Sequence, residues 1–136
     1  MAGFTVNLVT PECQLFSGLA KFLVAPGTEG VFGLLASHAP IMTALASGEL
    51  KIEHLEDEET EHFALSGGFL SGDGKSVNVL ATRAENIKSQ DVAELKNRII
   101  DLESQLQVLS PEDANYPYLK GELAWAELVA KLAQQS

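Results

Sequence analysis

Three sets of residues in this 136-residue chain have types and spacings that chemistry could use. Gly74-Lys75-Ser76 reads like the end of a phosphate-binding loop. The full pattern needs a glycine five residues before Gly74, where Phe69 stands. It also needs a helix directly afterwards, with its N-terminus facing the phosphate. The strand-like run Val77-Asn78-Val79-Leu80-Ala81 follows instead, so a β-turn is expected. His54 and His62 flank the acidic run Glu56-Asp57-Glu58-Glu59 and are expected to face each other across a hairpin. A metal there would need two imidazoles and a carboxylate to converge, and solvated strand residues are the expected state. His38, with Ser37 and Glu29 as its nearest polar options, lacks the spacing of a nucleophile–base pair. Cys13 is the lone cysteine, so an internal disulfide and a cysteine-based zinc site are excluded. It has no cationic neighbour in sequence, so a reactive thiol is not expected. No catalytic residue, metal or cofactor is expected, and the chain does not read as an enzyme.

The elements that position these residues fall into two parts. Residues 1–84 hold ten of the eleven glycines and short apolar runs cut by turns; residues 85–136 hold only Gly121 and read with helical period. In the first part Phe4–Val9 alternates and ends before Pro11, and Leu19–Ala25 closes at Pro26-Gly27. Glu49–Leu55 alternates, with Leu50, Ile52 and, less regularly, Leu55 on the inner side, and Thr60–Leu65 returns antiparallel to it. Ser71-Gly72-Asp73-Gly74 is a tight turn before the strand Val77–Ala81. Short strands at this spacing predict a β-sandwich or flattened barrel.

In the second part Val92, Leu95, Ile99, Leu102, Leu106 and Leu109 recur at alternating steps of three and four, one face of a helix. Ser89 or Asp91 is the expected N-cap, and the helix should stop at Ser110-Pro111. Ser110-Pro111-Glu112-Asp113 reads as a fresh helix start that Tyr116-Pro117-Tyr118 interrupts, so the second helix is expected over about Pro117–Ala133. Leu119, Leu123, Ala126, Ala130 and Ala133 give that helix a seam of small residues, and an antiparallel αα-hairpin follows. The expected organisation is a β domain over 1–84 and an αα-hairpin over 85–136.

Composition narrows the partners. The formal charge is −10, which repels nucleic acid and anionic lipid. Acid is in excess throughout: four Lys/Arg against ten Asp/Glu up to residue 84, five against nine after it. The opening MAGFTVNLVT lacks the basic and apolar regions of a secretory signal. No run approaches the ~18 apolar residues that span a bilayer. Any membrane association is expected to run through a protein partner, without insertion.

The most unusual stretch is Pro26 to Pro40, an apolar, glycine-rich loop that the domain or a partner must cover. Within it, Gly27-Thr28-Glu29-Gly30, Gly33 and His38-Ala39-Pro40, followed by Thr43-Ala44-Leu45 and Gly48, resemble the signature of F-type ATP synthase epsilon subunits (delta in mitochondria). Ser66-Gly67-Gly68-Phe69 with Val77–Ala81, and Val9-Thr10-Pro11-Glu12 with Phe16-Ser17-Gly18, resemble further landmarks of the family.

The resemblance implies a sandwich of about ten strands with a C-terminal αα-hairpin, placed in the central stalk of F1. It implies a gamma subunit and the c-ring as partners, with alpha and beta subunits reached through the hairpin. The location it implies is peripheral, on the cytoplasmic face of a bacterial plasma membrane. Proton flow (or sodium) would turn the c-ring, and the subunit would transmit that rotation to ATP synthesis. By resemblance Glu29, Gly30 and Val31 face the c-ring, and Ser37, His38, Ala39 and Pro40 lie near gamma. Val31 stands where some relatives carry an acid. The family's ATP-sensing motif, Ile/Leu-Asp-x-x-Arg-Ala, aligns with Val92-Ala93-Glu94-Leu95-Lys96-Asn97, which lacks the aspartate, the arginine and the alanine. ATP binding by these helices is therefore not expected. With Lys88, Lys96 and Arg98 set against Glu94, Asp101 and Glu103, weak inhibition of ATP hydrolysis is expected. Two other readings fit the composition: a protein-interaction module with no ATP synthase partner, and a small hydrolase using Ser37 and His38.

Overall fold

The computed structural model describes residues 3–56 and 59–135. The chain divides into two compact units between Asn86 and Ile87. The first is a seven-stranded sheet: β1 (Phe4–Val9), β2 (Gln14–Gly27), β3 (Gly30–Leu35), β4 (Ile41–His54), β5 (Thr60–Gly72), β6 (Ser76–Ala81) and β7 (Ala84–Asn86). The sheet runs β1-β6-β5-β4-β2-β3, and β1 also pairs with β2, so it closes on itself as a flattened barrel. β1 lies parallel to β6 and antiparallel to β2.

Seven strands replace the expected ten because three of them are long. β2, β4 and β5 run 14, 14 and 13 residues and change neighbours part-way. The first half of β2 pairs with β1 up to Phe4↔Ala20; its second half pairs with β3, from Phe22↔Leu35 to Gly27↔Gly30. Pro26 has no N–H for the ladder, and the β2–β4 pairing skips between Val24 and Gly27. Through Gly67 and Gly68, both at positive φ (87° and 144°), β5 passes from pairing with β7 over Phe63–Leu65 to pairing with β6 over Gly68–Gly72.

Pro26–Pro40 is not a loop. Gly27 and Gly30 close a tight turn over Thr28 and Glu29, and the chain returns as β3. Strand alternation then divides its apolar residues: Leu34 is buried and Phe32 packs on the core, while Val31 and Leu35 point outward. Glycines at three nearby positions hid that alternation in the sequence.

The core is filled by alternate strand residues, with Phe4, Val6 and Leu8 from β1, Leu50 and Ile52 from β4, Phe63, Leu65 and Leu70 from β5, and Val77 and Val79 from β6. Each such side chain contributes about 1.5–3 kcal/mol by leaving water, so this cluster dominates the domain's stability.

The second unit begins with a single 3₁₀ turn, Ile87–Ser89, then α1 (Val92–Val108) and α2 (Tyr116–Gln135). Asp91, not Ser89, caps α1, accepting from the N–H groups of Ala93 (2.9 Å) and Glu94 (3.3 Å). Leu109 is the C-cap, just before Ser110-Pro111. Ser110-Pro111-Glu112-Asp113 does not start a helix. The Ser110 and Asp113 side chains accept from the N–H groups of Glu112 and Asn115, two residues on in each case, which builds turns instead. α2 starts at Tyr116, one residue ahead of Pro117, because the first turn of a helix needs no donor from proline. On α1, Leu102 is buried and Val92, Leu95, Ile99, Leu106 and Leu109 are half-buried, while their neighbours are exposed. On α2, Ala126 and Ala130 are buried and Leu119 and Leu123 half-buried, and the two helices pack together.

Candidate functional site

The β2–β3 turn presents Thr28, Glu29 and Gly30 to solvent, with Val31 75 % exposed beside them. The N–H of Thr28 donates to the Ala44 carbonyl at 3.2 Å, which ties the turn to β4. A shallow recess there is lined by Glu29, Gly30 and Val31 together with Ile41 and Thr43.

Ser37-His38-Ala39-Pro40 forms the short turn between β3 and β4. Ser37 sits in the left-handed region (φ 63°), held by donation of its N–H to the Gly74 carbonyl at 3.1 Å. The His38 ring contacts Leu35 O through Nδ1 (3.0 Å) and Gly74 N through Nε2 (3.1 Å), and Phe4 meets it edge-on at 5.6 Å between centroids. These contacts occupy both ring nitrogens, so neither is offered to a nucleophile, and no hydrolase arrangement forms with Ser37.

The turn that His38 grips contains Gly74-Lys75-Ser76. Asp73 Oδ1 accepts from the N–H groups of Lys75 (2.9 Å) and Ser76 (2.8 Å). The amides a phosphate would need are therefore engaged, and β6 follows at once. The same two bonds hold the Asp73 carboxyl below the usual carboxylate range.

His54 and His62 do not face each other. The register places His62 opposite Lys51, so His54, three residues further on, points to the other side of the sheet. His62 contacts Glu49 at 3.1 Å, with Lys51 3.6 Å from the same carboxylate. His54 contacts Glu61 at 3.4 Å and packs edge-on against Phe16. No group of three metal-ligating side chains occurs among the described residues. Of the acidic tip, Asp57 and Glu58 lie outside the described residues. Cys13 is exposed.

Residues from four separate sequence landmarks combine into an apolar feature that no one of those motifs shows by itself. On the outward face of β4, β5, β6 and β1, Ala44, Phe69, Leu80 and Val9 stand in register across four strands. Phe69 is 62 % exposed, Leu80 57 %, and Met42, two residues before Ala44, 81 %. The row continues into an apolar recess between Pro11 and Thr82. Its sequence signal is apolar residues at adjacent positions, Phe69-Leu70 and Val79-Leu80, which marks strands apolar on both faces.

On the hairpin, Arg98 pairs with Glu122 at 3.2 Å across the two helices. Lys96 and Asn97, where the family's ATP motif would fall, are exposed.

The family model described as the ATP synthase delta/epsilon chain, β-sandwich domain, matches residues 3–87. The chain belongs to the ATP synthase delta/epsilon family. Its similarity to relatives in that family runs into the hairpin. An ATP synthase epsilon chain of Hyphomonas neptunium is 33 % identical over 122 residues, 89 % of each chain. One from Halorhodospira halophila is 36 % identical over 129 residues, 93 % of this chain and 89 % of that one. A chain of the Euglena gracilis mitochondrial ATP synthase shares the fold, with a TM-score of 0.74 at 22 % identity over 100 % of this chain and 83 % of that one. One in the central stalk and c-ring of the Tetrahymena thermophila mitochondrial enzyme gives 0.58 at 17 % identity, over 96 % of each. Family membership removes the reading as an unrelated interaction module. No described helix is long and apolar enough to cross a membrane.

Proposed function

We propose that this chain is a non-catalytic central-stalk subunit of a proton-translocating F1Fo ATP synthase, coupling rotation of the c-ring to ATP synthesis in F1. The observation that carries this reading is the outward apolar row of Ala44, Phe69, Leu80 and Val9, with Met42 beside it. An acidic domain that displays such a row across four strands is built to have it covered by protein. Gamma is the partner for this row and for the adjoining turn Ser37–Pro40, and the polar loops of the c-ring meet Glu29, Gly30 and Val31. An exposed valine in that position supplies an apolar contact.

In this reading the subunit is peripheral, on the cytoplasmic face of a bacterial plasma membrane, and works without a cofactor. The helices sense no ATP, because the motif's aspartate, arginine and alanine positions hold Ala93, Lys96 and Asn97. Contacts of the hairpin with alpha and beta subunits are weak, since its first helix carries Lys96 and Arg98 among Glu94, Asp101 and Glu103.

Membrane vesicles depleted of this subunit test the proposal. They should lose ATP-driven proton pumping and regain it with the native chain. A Phe69→Asp/Leu80→Asp variant that is folded should fail to restore pumping and fail to bind gamma. Full restoration by that variant would place the docking surface elsewhere.

A further inference from the structure

We propose that His38 is a proton-operated latch, which in its neutral form clamps the Asp73–Lys75 turn to the Ser37–Pro40 turn and lets go when protonated. The tautomer follows from the partners. A backbone N–H can only donate, so the Nε2 atom 3.1 Å from Gly74 N carries no hydrogen. A carbonyl can only accept, so the Nδ1 atom 3.0 Å from Leu35 O carries the proton. An imidazolium has no acceptor in any ring orientation, so protonation removes the bond to Gly74 rather than moving it.

A Cβ on Gly72 would stand 2.5 Å from Nε2, and one on Gly74 would stand 2.9 Å from the His38 backbone carbonyl, so the ring is seated against Gly72 and the His38 main chain against Gly74. Phe4 of β1, Leu35 of β3 and Ile41 of β4 bring no charge. The charged residues of the gripped turn are Asp73 and Lys75, and Asp73 Oδ1 is held by the turn's own N–H groups. Ser37 keeps its left-handed conformation through its bond to Gly74. Loss of the His38 bond therefore loosens Ser37 as well as the turn. The latch stands on this geometry alone. Under the proposed function, acidification would also soften the end of the domain that meets gamma.

Nuclear magnetic resonance of the full-length labelled chain between pH 8 and pH 5 tests the latch. At pH 8 the unprotonated ring nitrogen should be Nε2. As His38 titrates, the exchange protection factor of the Gly74 amide should fall roughly fivefold to tenfold, the worth of one hydrogen bond, while that of Leu70 in β5 holds. His38→Gln offers an acceptor that does not titrate, and its Gly74 protection should not change with pH. A proton on Nε2 at pH 8, or constant Gly74 protection while native His38 titrates, would overturn the proposal. The native titration decides the matter even if the variant does not fold.

Discussion

The Gly68 Cα lies directly against the Leu80 carbonyl, and a Cβ built on Gly68 would overlap that oxygen. The residue also sits at φ 144°, where side-chain-bearing residues are strained. The contact is between neighbouring strands in register, so relief would require β5 and β6 to separate above the core. Gly68→Ala should cost roughly 2–4 kcal/mol of folding free energy, read as a lower urea midpoint with an unchanged slope.

Phe69, the next residue, predicts the opposite pattern. Its ring is 62 % exposed, so the isolated chain gains little from it. Phe69→Ser should shift stability by less than about 1 kcal/mol while weakening gamma binding at least tenfold, as expected of an aromatic anchor at the centre of an interface. Calorimetry of the free chain and titration with gamma separate the two effects. Equal loss in both would assign Phe69 to the fold alone.

Asp73 gives the pH dependence a sign. Its folded-state pKa is depressed by the N–H groups of Lys75 and Ser76. The stability it contributes is therefore fully present above the ordinary carboxylate value of about 4 and is lost as pH falls through the lower folded value. Asp73→Asn should be less stable than the native chain at pH 7, with the gap closing at a pH well below the ordinary carboxylate value of about 4. Urea unfolding at both pH values measures it. A gap that persists in acid would mean the side chain acts through shape and not charge.

Much of the fold was legible because it follows from periodicity. The alternation of Phe4, Val6 and Leu8 and the three-four steps from Val92 to Leu109 are local facts, and both faces are the less exposed ones in the structure. What could not be read depends on register. His54 and His62 flank one turn in sequence, yet an opposite parity across β4 and β5 sends them to opposite sides. β3 was hidden because Gly30 and Gly33 break the pattern that would mark a strand. The candidate site divided the same way. Its glycine and histidine landmarks were visible as a motif, whereas the row of Ala44, Phe69, Leu80 and Val9 exists only once four strands are aligned.

Within the hairpin, a buried leucine and an exposed ion pair should differ sharply. Leu102 is 3 % exposed at the middle of the α1 seam, so Leu102→Ala should cost about 2–4 kcal/mol through lost burial and the cavity left behind. The Arg98 side chain is 52 % exposed, and its pair with Glu122 is screened by solvent. Arg98→Ala should change stability by less than about 1 kcal/mol, and less again in high salt. Helical circular dichroism during thermal melting of both variants checks the ranking.

Removing residues 87–136 asks whether the hairpin restrains the motor. The β domain has its own core and its own exposed row, so the truncated chain should still assemble. The hairpin carries Lys96 and Arg98 on α1 among Glu94, Asp101 and Glu103, and Arg98 is already paired within it. An inhibitory helix that relies on cations to reach an acidic surface would have little left to offer, and what remained would fade with salt. The assembled enzyme carrying the truncated chain should therefore hydrolyse ATP at less than about twice the native rate, a barrier change under about 0.4 kcal/mol. Steady-state ATPase assays at low and physiological ionic strength provide the measurement. A several-fold rise on truncation would show that the hairpin inhibits through contacts other than charge, with the exposed apolar residues Ile100 and Val108 the first to substitute.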